Sequence, residues 1–232
     1  MAKVLTTYLD KGNFPYQEAL VLQQSIRQDI VERKMQKIDT SKSNVLILCE
    51  HDPILTFGSS AKESDLLIPR DKLSDVGLSY TNIKRGGSIT FHGTGQIVGY
   101  PVLDLENFKT DVKWYIRSLA EVIIHTLKEY GIDGYYDVNF PGIWINDYTT
   151  GVKKKICAFG VHLSRWVTNH GFAFNINNSL DYYQYFVPCG INEPDRTVTT
   201  LEQQMGRTVD IEEIKKILLS NFSIVFSTEL VK

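Results

Sequence analysis

The stretch KKICAFGVHLSRWVTNHGFAFNIN, residues 154–177, decides how the rest of the chain is read. Aromatic and β-branched residues dominate it, and Phe172, Phe174 and Ile176 alternate with neighbours on the opposite face, as a strand requires. We read KKICAFGVHL and RWVTNHGFAFNIN as strands, so a sheet lies at the centre of the fold. Upstream, NVLILCE (44–50) is almost continuously apolar, which suits a strand covered on both faces. KVLTTYL (3–9), LSYTNIK (78–84), SITFHG (88–93), QIVGYPVLDL (96–105) and GIWIND (142–147) read as further strands.

Helical spacing appears between them. Ala19, Leu22, Ile26 and Ile30 follow Pro15 at the spacing of an amphipathic helix. Residues 111–130 place Val112, Tyr115, Ile116, Leu119, Val122, Ile123, Leu127 and Tyr130 on one face, with Thr110 or Asp111 as cap and Gly131 as stop. Thr199 with Glu202 fits the start of a short helix, and Asp210 with Glu213 that of a last helix bearing Ile211, Ile214, Leu218 and Phe222. The chain is expected to close on that helix. No repeat or linker divides the sequence, so residues 1–232 are expected to form a single α/β (α+β) domain, a mixed β-sheet flanked by helices.

Composition narrows the function. The chain has 232 residues, 43% of them hydrophobic, and a formal net charge of −2, which excludes nucleic-acid binding driven by bulk positive charge. No segment approaches the roughly 18 apolar residues of a membrane span, and the N-terminus lacks the pattern of a secretion signal. Neither a nucleic acid nor a membrane is an expected partner. Cys49, Cys157 and Cys189 are too widely spaced for a disulfide framework or a CxxC metal pair, which points to a reducing, intracellular setting.

Cys49 falls inside a strand and reads as core. Cys189 sits in FVPCGIN, between a proline that cannot extend a helix and a glycine that frees the backbone. A thiol there is either packing or the reacting group, and the residues alone leave both open. A candidate partner is Lys155, the last lysine of VKKKICAFGVH, which enters the strand while Lys153 and Lys154 read as a solvated loop end. An ammonium beside a thiol lowers its pKa from about 8.5 and makes it a nucleophile. His51, His92, His125, His162 and His170 show no metal-binding spacing, so no zinc is expected. The glycine-rich stretch RGGSITFHGTGQIVGYP (85–101) lacks the Lys-Ser/Thr of a P-loop and the third glycine of a dinucleotide fingerprint. It reads either as hairpin turns or as backbone lying close against a ligand, with Arg85 and His92 at its margin.

Taken together, RGGSITFHGTGQIVGYPVLDL, KICAFGVHLSRWVTNHGFAFNIN and FVPCGI resemble the lipoyl(octanoyl) transferase family, also called lipoate-protein ligase B, over residues 45–210. The resemblance implies the catalytic fold of the biotin and lipoate protein ligases and a single octanoyltransferase domain over 1–232. It implies transfer of an octanoyl group from octanoyl-acyl carrier protein to a lysine of lipoyl domains, those of 2-oxoacid dehydrogenase E2 subunits and of glycine cleavage H protein. No cofactor and no ATP are implied. In that family the cysteine of PCG, here Cys189, carries the acyl group as a thioester, and the lysine opening the KICAFG motif, here Lys155, activates it. The implied acyl pocket comprises Arg85, Gly86, Gly87, Ser88, Ile89, Thr90, Phe91 and His92, then Ala158, Phe159 and Gly160, then Gly171, Phe172 and Ala173. Phe91, Phe159, Phe172 and Tyr100 are candidates for an apolar slot, and Lys84, Arg85, Lys153, Lys154 and Arg165 for a basic rim facing acidic carrier domains.

The sequence departs from the family's usual HGPGQ at Thr94 and from GVR at His162. The implied location is a bacterial cytoplasm or a mitochondrial matrix. Competing readings are an ATP-dependent lipoate or biotin ligase, a hydrolase pairing Cys189 with a histidine, and a non-enzymatic acyl-binding module.

Overall fold

The computed structural model describes residues 4–188, 191 and 193–232. The main sheet has nine strands: β1 (Leu5–Asn13), β2 (Asn44–Glu50), β6 (Gln96–Val102), β7 (Gly134–Tyr136), β8 (Gly142–Asn146), β9 (Lys153–Ser164), β10 (Val167–Asn175), β11 (Arg196–Val198) and β12 (Glu229–Val231). They run in the order β12-β1-β2-β6-β10-β9-β8-β7, with β11 added beside β9. The β12–β1, β1–β2 and β11–β9 pairs are parallel and the remainder antiparallel, so the sheet is mixed. A second sheet, β4-β3-β5, joins β3 (Ile54–Phe57), β4 (Ser79–Asn82) and β5 (Ile89–His92) around a separate core of Leu55, Phe57, Leu73, Leu78, Ile89, Phe91 and Phe186.

Helices cover both faces of the main sheet. α1 (Tyr16–Met35) starts at Pro15 and buries Ala19 and Ile30 against Ile47, Val98 and Val102. α2 (Val112–Lys128) and α4 (Ile211–Phe226) pack together on the opposite face, where Leu119, Ile123, Leu218 and Phe222 are fully buried with Ile97, Phe174 and Ile156. Asp111 caps α2 by accepting from the N–H groups of Lys113 and Trp114, as its acceptor side chain dictates. Val112, expected on the apolar face, is exposed at the first turn.

Several expectations are corrected. Thr200, one residue later than expected, caps the short α3 (Leu201–Met205), its hydroxyl accepting from Gln203 N; Thr199 instead bonds Gln204 Nε2 at 2.8 Å. The chain closes not on a helix but on β12, which pairs with β1 after Ser227 turns in the left-handed region. Strand β10 begins at Val167, because Arg165 and Trp166 both adopt positive φ (53° and 63°) and form the two-residue turn after Ser164. That turn contains no glycine or asparagine, so its sequence carries no turn signal. Among the described residues no helix is long and apolar enough to cross a membrane.

Candidate active site

The strand β9 carries the centre of the site. Its pairing with β8 skips Ile156: Trp144 faces Lys155 while Ile143 faces Cys157. This bulge breaks the alternation of faces. Ile156 and Cys157, although adjacent, both enter the core beneath α2, whereas Lys155 joins Ala158, Gly160 and Ala173 in lining a cleft of about 200 Å³. The cleft lies between the main sheet and the small sheet. Gly86, Gly87, Ile89, Thr90 and Phe91 form its wall from the small-sheet side, with Phe159, Ile116, Tyr183 and Phe186 completing an apolar lining.

Lys155 is 6% exposed. Its Nζ donates to Pro141 O at 3.4 Å and stands 4.7 Å from the centroid of the Trp144 ring, a cation–π contact. Gly142 makes this possible, since a Cβ there would lie 2.9 Å from Lys155 Cε and 2.7 Å from Cys157 O. The Lys155 carbonyl accepts from Thr199 N at 2.9 Å, tying β9 to the residue after β11. Burial pushes the Cys157 thiol well up, against the opposing pull of the Lys155 ammonium, so Cys157 is a core thiol. Cys49 is likewise buried, its thiol raised chiefly by burial, which matches its reading as strand interior.

Arg85 is buried rather than marginal. Its guanidinium donates to Thr56 O at 2.6 Å, to Thr56 Oγ1 at 2.8 Å and to Gly86 O at 2.9 Å, and its stem crosses Gly160, where a Cβ would lie 2.8 Å from Arg85 Cδ. It therefore pins the glycine wall across to the small sheet and is no part of a rim. Of the other proposed rim residues, Lys153 pairs with Asp195 (3.5 Å) and Lys154 with Asp147 (2.8 Å).

A hydrogen-bond chain closes the floor. The Asn175 amide donates to Thr199 O (3.1 Å), and its oxygen accepts from Gln96 Nε2 (2.9 Å) and Tyr183 OH (3.5 Å). Gln96 in turn donates to Phe91 O and bonds His92 Nδ1 at 3.0 Å. His92 is held well below the ordinary histidine pKa by burial and by the nearby His51 and Arg85, so it is neutral at pH 7. Gln96, Asn175, Tyr183, Pro141, Gly142 and Trp144 are among the site residues that the sequence reading missed, as are Ile116 and Phe186. HGTGQ and PGIWIN contain four of them, but no local rule marks a buried amide or a glycine facing a lysine.

The residues named from sequence divide into groups. Arg85, Gly86, Gly87, Ile89, Thr90, Phe91, Ala158, Phe159, Gly160, Ala173 and Lys155 line the cleft together. His92, Gly171 and Phe172, with Tyr100, line only a smaller cavity behind it, beside Tyr16 and His170. Ser88 turns away, its hydroxyl donating to Asp65 Oδ2 at 2.6 Å. Cys189 lies outside the described residues. Pro188, which precedes it in the chain, lines the cleft, and Val187 N donates to Asp65 O at 2.7 Å. Among the described residues no group of histidine, cysteine and carboxylate side chains is placed to hold a metal ion.

Comparison with known proteins adds the following. Residues 15–223 match the family model for the lipoyl protein ligase A/B catalytic domain. An octanoyltransferase of Flavobacterium johnsoniae is 41% identical over 227 residues, spanning 96% of this chain and 97% of its own. In fold the chain is similar to a lipoate-protein ligase A crystallised with ATP, at TM-score 0.71 and 16% identity, over 100% of this chain and 88% of that one. A biotin protein ligase from Aquifex aeolicus is similar at TM-score 0.54 and 13% identity, over 96% of this chain and 70% of that one.

Proposed function

The chain belongs to the lipoyl protein ligase A/B catalytic-domain family, and on that premise we propose that it is an acyltransferase, an octanoyltransferase acting in protein lipoylation. The observation that carries this reading is a buried lysine amine, Lys155, at an apolar cleft walled by side-chain-free backbone. Acyl-chain burial at about 0.8 kcal/mol per methylene supplies roughly 5 kcal/mol of binding.

The donor is octanoyl-acyl carrier protein and the acceptor a lysine of a lipoyl domain, such as those of 2-oxoacid dehydrogenase E2 subunits and glycine cleavage H protein. Cys189 is the nucleophile. Its thiolate attacks the thioester carbonyl, the carbon–sulfur bond of the donor breaks, and the carrier leaves as a thiol after gaining a proton. The resulting acyl-enzyme is attacked by the acceptor amine, which gives up its proton as the amide forms and the Cys189 thiolate departs. Lys155 is the group that receives and returns these protons, a role suited to an amine held out of water. Arg85, through Thr56 and Gly86, fixes the cleft wall. Thioester exchange is close to thermoneutral and amide formation from a thioester runs downhill, so the reaction needs no nucleotide. The relatives are bacterial, which favours a cytoplasm as the place of action.

Intact mass measurement after mixing the protein with octanoyl-carrier protein tests the reading. The expected result is a gain of one octanoyl group that maps to Cys189 and disappears on adding a lipoyl domain. Full activity of Cys189→Ser with ATP and free octanoate would establish a ligase instead, and binding without any covalent adduct a non-enzymatic acyl-binding module.

A further inference from the structure

Beside the acyl cleft, α1, the end of β4 with residues 83–84 and the β9–β10 hairpin border an open depression lined by Arg27, Lys84, His162, Asn169 and His170. We propose that this depression binds a phosphate group.

The first argument is charge. Arg27 and Lys84 face it, no carboxylate lines it, and among the described residues no acid forms an ion pair with Arg27, Lys84, His162 or His170. Like the acyl cleft beside it, the depression thus holds two permanent cations and no acid in a chain of net charge −2. The second argument is unmet hydrogen bonding. Arg27 Nε, Asn169 Oδ1 and His170 Nδ1 are buried and lack a partner, and all three belong to residues lining this one depression. Buried polar groups are normally satisfied, so a cluster of unpaired ones marks the place of a missing partner. The Asn169 amide presents a donor instead of an acceptor after a flip of its terminal group.

The third argument is construction. His170 is 5% exposed and held at φ 58°, a left-handed conformation that a non-glycine residue adopts at a cost, while its backbone N–H donates to the buried Gln23 Oε1 at 3.0 Å. Gln23 thus anchors the histidine from α1. Burial, with Arg85 and His162 nearby, lowers the His170 pKa to about 4, so at neutral pH it offers a neutral N–H rather than a further charge. A guanidinium fork, an ammonium and neutral donors around one concavity are the chemistry that recognises phosphate oxygens. The depression adjoins the cleft: Lys84 precedes Arg85, His162 follows Val161, and His170 lines the small cavity behind the acyl site.

The phosphate is either free or carried by the donor, whose prosthetic pantetheine arm begins in a phosphodiester; this second source rests on the octanoyl-transfer reading. The test has two arms on the full chain. In the first, inorganic phosphate is titrated at constant ionic strength while the imidazole resonances of His162 and His170 are followed. Saturable shifts are expected, weakened about tenfold or more by Arg27→Gln, the loss of one charge-assisted hydrogen bond, and strengthened by His162→Arg. In the second, octanoyl-phosphopantetheine and octanoyl-pantetheine are compared as small-molecule donors. A lower KM for the phosphorylated donor, abolished by Arg27→Gln or Lys84→Gln with melting temperature unchanged, assigns the site to the donor's phosphate. Equal KM values with saturable phosphate binding assign it to free phosphate. Absence of saturable binding in the first arm together with equal KM values overturns the proposal and leaves ordered water as the partner of the orphaned atoms. Failure of both donors to acylate the protein, with phosphate binding intact, refutes the octanoyl-transfer reading alone.

Discussion

Asn175→Ala severs the floor of the cleft without touching the reacting groups. The substitution removes the donor to Thr199 O and the acceptor for Tyr183 OH, while Gln96 keeps its bond to Phe91 O. Two buried groups left unpaired cost about 1–3 kcal/mol each. Asn175 borders the cleft, so water enters and relieves part of that cost, leaving about 2–4 kcal/mol. A domain with a total stability of about 5–15 kcal/mol stays folded after such a loss, with melting lowered by roughly 10 °C. The kinetic effect follows from the next link. Thr199 N holds the Lys155 carbonyl, so a loosened Thr199 lets the amine drift, and a displacement of about 1 Å costs roughly 100-fold in rate. Thermal melts and single-turnover octanoyl transfer to a lipoyl domain measure both effects. A variant that melts low yet retains kcat refutes the idea that this chain of amides positions Lys155, and one with unchanged melting shows that the bonds contribute nothing.

Other outcomes are open to measurement. Lys155→Arg keeps the positive charge but removes the titratable amine, and transfer is expected to fall by about 100-fold or more, the usual contribution of a positioned acid–base group; equal activity excludes proton transfer by Lys155. Gly160→Ala forces a Cβ against Arg85 Cδ, which is anchored by Thr56, and should raise KM for octanoyl donors while leaving hydrolysis of short acyl thioesters less affected. His170 titrates near 4 in the folded chain and near 6.5 unfolded. Between those values the unfolded state binds the proton and the native state does not, so stability falls as pH drops from 6.5 to 4, by about 3 kcal/mol from this group. Denaturant melts across that window should show His170→Asn flattened relative to the parent chain; parallel profiles would refute the assignment.

The sequence announced the large elements and missed what adjusts them. Strands β2, β9 and β10 and helix α2 are long and strongly patterned, so their periodicity shows through. β3, β7, β11 and β12 are three or four residues long and borrow their order from neighbours, which no local pattern records. The separate small sheet was invisible for the same reason, because it depends on β3 pairing with both β4 and β5. Within the site, the glycine wall and Lys155 were legible as motifs. Asn175, Gln96 and Trp144 were not, since their roles arise only when distant segments meet. Arg85 was read as marginal and is an internal brace, a distinction set by Thr56, which lies in the unrecognised strand.

The skipped pairing at Ile156 has a consequence for how this protein can change. A pleated ribbon has only two phases, and the surplus residue lets Ile156 and Cys157 share the oily side while the amine, two places before Cys157, keeps the substrate side. Deleting Ile156 would restore plain alternation with Trp144 still opposite Lys155 and Ile143 still opposite Cys157, so the amine would stay at the cleft and one buried aliphatic side chain would be lost from the layer beneath α2. Loss of that residue is therefore opposed by packing rather than by chemistry, and a variant lacking Ile156 should melt lower while keeping Lys155 at the cleft.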